Sequence, residues 1–465
     1  MRGFSPLFLG ALLLVGCATS LSLRELNSYV LNNEFAAAAK KVETLKNGYG
    51  EKNALLYYLD RGMLLQLAGQ YVESNQALET AKRVAQELFT KSVTAHLSTF
   101  LVNDLMTPYY GEDFERALIH VFSALNYAAL NDGESALVEC RQLDSFFRAL
   151  PFDGERNAYQ DDAFARYLAG LLYEDRGETN DAYISYVKAL DAYGEYEKFY
   201  KTERPPGLVE DALRTARALG FSDKIAEIQK KWGPAPVPER EPPAERGEVV
   251  VLHYSGLGPE KVDSFFEISL FNGWPYVEKT DTKSQDETSV EQARAVFRSI
   301  GADKMIRVAF PKYRRNLPKI VTTEIQSASA TWRAALVEDV GAIAVRNLDD
   351  RINRIRGRAI ARAVVKFLLS QRVSKEVENN SNETMGYLVR TILQAASAAT
   401  EVADKRSWRT LPDRILMARL SLPAGQQDLT FHYLDARGTI VETGEVKKLT
   451  VNPRQKTFLI IRTAL

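Results

Sequence analysis

Four histidines, two cysteines and two pairs of adjacent aspartates are the groups in this 465-residue chain that would have to carry out any chemistry. His96, His120, His253 and His432 stand far apart, and none lies in a His-Glu-x-x-His arrangement that would put two imidazoles on one helix face for zinc. The chain has no Gly-x-Ser-x-Gly turn, no glycine-rich phosphate loop ending in Lys-Ser/Thr, and no Ser-x-x-Lys set with its companion motifs. Asp161-Asp162 and Asp349-Asp350 are adjacent, but neighbours on a helix point about 100° apart. Each pair is expected to cap a helix or face water. His253 precedes Ser255-Gly256-Leu257-Gly258-Pro259, a tight turn that would belong to a pocket if a carboxylate and a serine converged on it. A packed histidine in a strand fits the same residues. Cys140 lies among helix formers and reads as a small buried apolar group. These residues compose no catalytic set, metal cluster or cofactor loop, and the expected class is a binding protein, not an enzyme.

Two groups offer binding chemistry. Arg351, Arg354, Arg358, Arg362 and Lys366 recur at helical spacing beside an apolar stripe of Ile352, Ile355, Ala359, Ala363 and Phe367. Such a stripe is either a solvated helix face or a contact surface for acidic partner residues, peptidoglycan carboxylates or anionic lipid head groups. Arg406, Trp408 and Arg409 set an indole beside two guanidiniums, which can seat a planar or anionic group. The same Trp can instead pin a helix to neighbouring strands. Sixty basic residues balance sixty acidic ones, so no bulk attraction to nucleic acid is expected.

The elements that must position these residues fall into two halves. Residues 20–232 are rich in Ala, Leu, Glu, Lys and Tyr, with apolar positions three and four apart, and predict helices. Small and aromatic residues in this stretch fall at the offsets of a tetratricopeptide repeat. One copy carries Gly170, Tyr173, Gly177, Ala182, Tyr186 and Ala189, a second Gly62, Leu65, Gly69, Tyr71, Leu78 and Ala81, and a weaker third Ala124, Tyr127, Ala136, Cys140 and Leu143. Small residues are needed where two helices of a pair touch. Phe35, Ala38, Val42 and Leu45 resemble the second half of an opening repeat. The spacing between copies is irregular, so the array is tetratricopeptide-like; an unrelated helical bundle is the alternative. Either way, stacked helix pairs leave an extended face of the kind that holds proteins or peptides.

Residues 233–247 are proline-rich and predict an extended spacer. Beyond it, Glu248–Tyr254, Lys304–Phe310 and Lys319–Ile325 predict strands. Ala330–Lys375 predicts two helices broken near Asn347-Leu348-Asp349-Asp350, and Glu383–Ala403 a further helix. Four strand-like runs between Ile415 and Thr463 predict a small antiparallel β-unit. The expected plan is a helical repeat domain at 17–232, a linker at 233–247, an α+β domain at 248–412 and a β-unit at 413–465.

Residues 1–16 carry one early charge, Arg2, then an apolar run from Phe4 to Val15, shorter than the roughly 20 residues of a membrane-crossing helix. This is the plan of a cleaved signal peptide. Leu14, Val15 and Gly16 before Cys17 resemble the lipobox of bacterial lipoproteins. The resemblance implies that Cys17 is acylated, with palmitate-like chains, and becomes the first residue of the mature protein, so that the lipid holds the chain to a membrane. Ala18, where Asp would retain the protein elsewhere, implies the periplasmic face of the outer membrane. Cys140 is then left without a disulfide partner.

The full chain resembles a family of proteobacterial envelope lipoproteins with tetratricopeptide-like helices followed by an α+β part. The resemblance rests on Tyr109-Tyr110-Gly111-Glu112-Asp113-Phe114-Glu115-Arg116, Asn126-Tyr127, Ala136-Leu137-Val138-Glu139-Cys140-Arg141 and Ala403-Asp404-Lys405-Arg406-Ser407-Trp408-Arg409-Thr410-Leu411-Pro412. It implies a scaffold that binds envelope proteins, or a regulator of peptidoglycan synthesis. It transfers no catalytic role, and an envelope hydrolase with its site in 248–465 is the competing class.

Overall fold

The computed structural model describes residues 26–94, 107–150, 159–235, 245–271, 274–276, 304–357, 359 and 403–464. The expected signal peptide and lipobox, Cys17, His96, Arg358, Arg362, Lys366 and nearly all of the helix expected at Glu383–Ala403 lie outside these residues.

The first half is helical: α1 (Phe35–Thr44), α2 (Ala54–Leu67), α3 (Tyr71–Thr94), α4 (Asp113–Ala129), α5 (Gly133–Ala149), α6 (Ala163–Asp175), α7 (Thr179–Tyr200), α8 (Leu208–Ala218) and α9 (Ser222–Trp232). From α2 onward they form four hairpin pairs, joined by tight turns. Gly69 and Gly177 turn the chain between α2 and α3 and between α6 and α7 at φ +74° and +76°, a conformation that favours glycine. Helix starts are fixed locally: Asp132 accepts from the Ser135 amide at 3.1 Å and Asp162 from the Ala165 amide at 2.7 Å. Where helices of a pair cross, a Cβ on Gly62 would lie 2.5 Å from Leu78 Cδ2, and one on Gly170 would lie 2.4 Å from the Tyr186 ring. Ala81, Ala136, Ala182 and Ala189 are buried at similar crossings, while Tyr127 and Tyr173 are half-buried against the same core. The irregular spacing of the copies reflects chain inserted between pairs, at 95–112 and 150–162.

The second half builds two stacked sheets and a third. The first, mixed sheet has the order β12 (Lys456–Thr463), β1 (Arg246–Ser255), β8 (Arg414–Pro423), β7 (Ala335–Glu338); β12 runs parallel to β1 and the others antiparallel. The second contains β10 (Ile440–Thr443), β9 (Gly425–Leu434), β5 (Thr322–Gln326) and β6 (Thr331–Arg333), with β11 (Lys447–Val451) also on β9. The third pairs β2 (Glu260–Phe271) with β3 (Trp274–Tyr276) and β4 (Lys304–Arg314). The strands after residue 413 therefore do not close on themselves: β8 and β12 flank β1, and β12 adds a parallel pairing where antiparallel pairing alone is expected.

Two predicted elements differ. Residues 331–338, predicted as helix, are β6 and β7, because Leu336 is drawn into register with Leu416 of β8 and Trp332 with Ile325 of β5. The helix, α10, runs over 340–357 without a break at 347–350. Asp339 caps it, accepting from the Ala342 amide at 2.8 Å, and Asp350 pairs with Arg346 one turn back instead of ending a helix.

The core explains why β1 reads as an uninterrupted apolar run. Val250, Leu252 and Tyr254 face the helices, whereas Val249 and Val251 face the second sheet among Ile320, Leu429 and Phe431. A strand covered on both faces cannot alternate with polar residues. The helical array, the mixed sheet and the antiparallel sheet are thus successive layers, and the helices and the sheet share one core. Among the described residues no helix is long and apolar enough to cross a membrane.

Candidate functional site

His253 packs within this layered core. It is fully buried, with Nε2 2.8 Å from Thr463 Oγ1, Nδ1 2.6 Å from Thr323 Oγ1 and its ring 5.1 Å from that of Tyr433. Burial, helped by the charge of Arg462, pulls its pKa down to about 3, so the ring is neutral. Its partners are threonines, not the carboxylate and serine that a hydrolytic site would need. The Cys140 thiol is buried in α5 and pushed up to about 12 by that burial, then by Glu139, which removes it as a nucleophile. Asp161 pairs with Arg166 at 2.7 Å, and Asp162 is the cap described above. Among the described residues no three His, Cys, Asp or Glu side chains converge as metal ligands.

The face made by the first helices of the pairs is covered by the chain's own mixed sheet: β12 lies against α2 and α4, and β7 against α6. The two distinctive segments of the sequence meet there. Glu115, from the first, accepts from the Trp408 amide of the second at 2.7 Å, from the Glu112 amide at 2.9 Å and from the Tyr109 hydroxyl. Burial and then the adjacent Glu112 push its carboxyl up to about 7. Glu112 goes the other way: burial opposes its charge, but Arg351 and Lys261 bind it and hold it well below the usual carboxylate range. Asp60, buried between Tyr49 (2.8 Å) and Thr410 (2.9 Å), is raised to about 6 by burial.

Trp408 is 1 % exposed, its ring 5.6 Å from that of Phe122 and its Nε1 donating to Thr410. Arg406 binds Asp404 and the Thr107 carbonyl, and Arg409 pairs with Glu260 at 2.7 Å. The Arg406, Trp408 and Arg409 group offers no seat for a ligand; it is the joint that pins the last strands to the helices. A second joint forms where Arg419 of β8 reaches Asp211, Tyr167 and Glu248.

Among the described residues a groove of about 950 Å³ opens between α3 and α5 over α4, with Arg351 and Arg354 of α10 at its edge. Lys82, Arg83, Arg116, Arg141, Arg351 and Arg354 line it, against Glu79 and Asp113. At its base Glu139, buried, accepts from Lys82 Nζ at 2.7 Å and meets His120 Nδ1 at 2.8 Å. Burial would raise the Glu139 carboxyl, but His120 and Lys82 hold it below the ordinary value. The Arg116 guanidinium lies 4.9 Å from the centre of the Phe146 ring, and Val138 is 42 % exposed at the lip. Of the predicted basic stripe, Arg351 is tied to Glu112 and Asn347 while Arg354 reaches the groove. The other groove residues escaped the sequence reading. Their signal is spacing: Glu79, Lys82, Arg83 and Gln86 on α3, and Val138, Arg141, Gln142, Ser145 and Phe146 on α5, each make one helix face.

No protein-family model and no curated protein matches the chain. Among solved structures it is similar to MamA, at 13% identity over 48% of this chain and 100% of that one, with a TM-score of 0.29. A Podosopora anserina kinesin light chain with tetratricopeptide-like repeats matches at 14% identity over 46% of this chain and 92% of that one, TM-score 0.29. NprR, solved with its peptide NprX, matches at 15% identity over 46% of this chain and 65% of that one, TM-score 0.17. The fold is an all-α, tetratricopeptide-like half joined to an α+β half with antiparallel sheets.

Proposed function

We propose that this chain is a non-catalytic scaffold, tethered to the periplasmic face of the outer membrane through a lipid on Cys17, that binds an envelope protein in the groove between α3 and α5. The observation that supports this most is the division of labour between the two faces of the array. The first-helix face is spent on the chain's own sheet, and among the described residues the half-open groove, lined by charged side chains with Ile119, Val138 and Phe146 among them, offers a surface for a partner. Mild-detergent pull-downs alone would not separate a groove partner from proteins bound elsewhere. A photo-crosslinking residue is therefore placed at Val138 in the full-length protein in cells, with a control at the remote, exposed Val446. One or a few envelope proteins captured from Val138 and not from Val446 is the expected outcome. Capture from Val446 alone would move the docking surface to the sheets and overturn the reading. For the tether, Cys17→Ser is expected to abolish labelling by radioactive palmitate and to release the protein from the membrane fraction.

A further inference from the structure

We propose that the joint between helices and mixed sheet encloses a site for one small monovalent anion of the halide class, held by the guanidinium of Arg462. Strand β12 places the group. Phe458, Ile460, Arg462 and Ala464 alternate along the chain onto one face, and the register sets the first three beside Val250, Leu252 and Tyr254 of β1, the residues that face the helices. Thr463, one position on, turns the other way and meets His253 Nε2 at 2.8 Å. Arg462 is therefore a cation in a row of aliphatic and aromatic side chains, on a strand that lies against α2 and α4. It is 7 % exposed.

Its contacts leave that charge uncompensated. Nη2 donates to the Leu411 carbonyl at 3.3 Å, whereas Nε and Nη1, both buried, have no hydrogen-bond partner among the described residues. The carboxyls of the joint are committed elsewhere: Asp413 accepts from Arg315 at 3.0 and 2.7 Å, Asp60 from Tyr49 and Thr410, and Glu115 from Tyr109 and the Trp408 amide. Burial, opposed by Tyr254 and Asp413, lowers the guanidinium to about 9, so at neutral pH it keeps its proton. A buried charge without a counter-charge is strongly destabilising, and an unmet interior N–H adds its own desolvation cost. An anion bound at Nε or Nη1 offsets both. Enclosure sets its size. Tyr254 and its neighbour Ile415 are wholly buried and Leu411 is 2 % exposed, so the site takes a single ion captured as the joint closes, and excludes a larger carboxylate ligand or a polyanion. A halide suits a guanidinium, which is itself weakly hydrated.

The test uses the full-length chain unfolded by urea, a denaturant that brings no ion, while sodium gluconate is replaced stepwise by sodium chloride at constant ionic strength. An ion bound by the folded chain alone lowers the unfolding equilibrium constant, by nearly tenfold for each tenfold rise in chloride once the site is mostly filled. Arg462→Met, similar in length and apolar, is expected to lose that dependence. General salt effects act on both proteins, so the difference between their chloride slopes reads the site. Crystals of the unsubstituted protein grown in sodium bromide give a readout that does not require the variant to fold: an anomalous scattering peak is expected within hydrogen-bonding range of Nε or Nη1. Equal unfolding constants of the unsubstituted protein in the two salts, as a water molecule at the guanidinium would give, would overturn the proposal. So would a chloride slope kept in full by Arg462→Met, or bromide found at surface positions only.

Discussion

Asp60, Glu115 and Asp162 are carboxyls kept in the helix–sheet interior with proton affinities raised by burial, to about 6, 7 and 6. Glu338, hydrogen-bonded to Asp162, is raised further, by burial and then by that neighbour. In the unfolded chain these groups titrate near about 4. The folded state therefore keeps protons that the unfolded state has lost, and unfolding becomes easier as pH rises through the window between the two values. Their contribution is full below about pH 4 and gone above the folded values. His253, held neutral, acts in the opposite direction, losing stability as pH falls from about 6.5 toward its folded value near 3. Glu174 and Glu248, lowered to about 2 where basic partners outweigh burial, do the same below about pH 4. The melting temperature is thus expected to be highest near about pH 5 and to fall toward pH 8. Glu338→Gln keeps an acceptor for Tyr196 and gives Asp162 a donor, so it should flatten the alkaline limb by on the order of 1–3 kcal/mol. A melting temperature level from pH 5 to 8 would remove these carboxyls as its cause. At the same scale, Gly170→Ala drives a methyl into the Tyr186 ring and should cost about 1–3 kcal/mol, read from chemical denaturation.

The joints between elements decide whether the halves hold together. Trp408 is the largest side chain at the helix–sheet contact, and Trp408→Ala is expected to cost about 3–5 kcal/mol. Hydrogen exchange should quicken in β8 and α4 together if the joint is one cooperative unit. Loosening confined to residues near 408 would show the joint to be local. The elements were legible to different degrees in the sequence. Gly62, Gly170 and the buried alanines announced the helix pairs, since close helix contact admits only small side chains. Glu248–Tyr254 announced a strand, though not that both its faces are covered. The segment at 331–338 did not, because Ala and Leu suit a helix until a neighbouring strand supplies hydrogen bonds, a long-range fact no local pattern contains. The polar Asn347–Asp350 stretch misled for the converse reason: Arg346 and Arg351 satisfy it within the helix. The groove was half visible, through Arg351 and Arg354. Its other residues read as solvated helix faces until the stacking of α3 beside α5 brought them together.

For the whole molecule, the shared core means that the proline-rich stretch divides the sequence but not the packing. Residues 26–235 made alone would expose Phe122, Tyr167 and Tyr193, now buried against the sheet side of the array. The fragment is expected to bind a hydrophobic dye and self-associate, and to recover a compact, dye-free state when residues 245–464 are added in trans. A monomeric, dye-negative fragment would show that the array is sufficient by itself.

The parallel seat of β12 beside β1 sets a clock on biogenesis. Strand β1 cannot gain its neighbour on that side until residues 456–463 have been made, some two hundred positions after β1 itself. The helical array, first to emerge, must wait with an uncovered apolar face while the rest of the chain follows. Such a delay invites a holding chaperone, and makes any product stopped short of Lys456 an open-edged substrate for proteases.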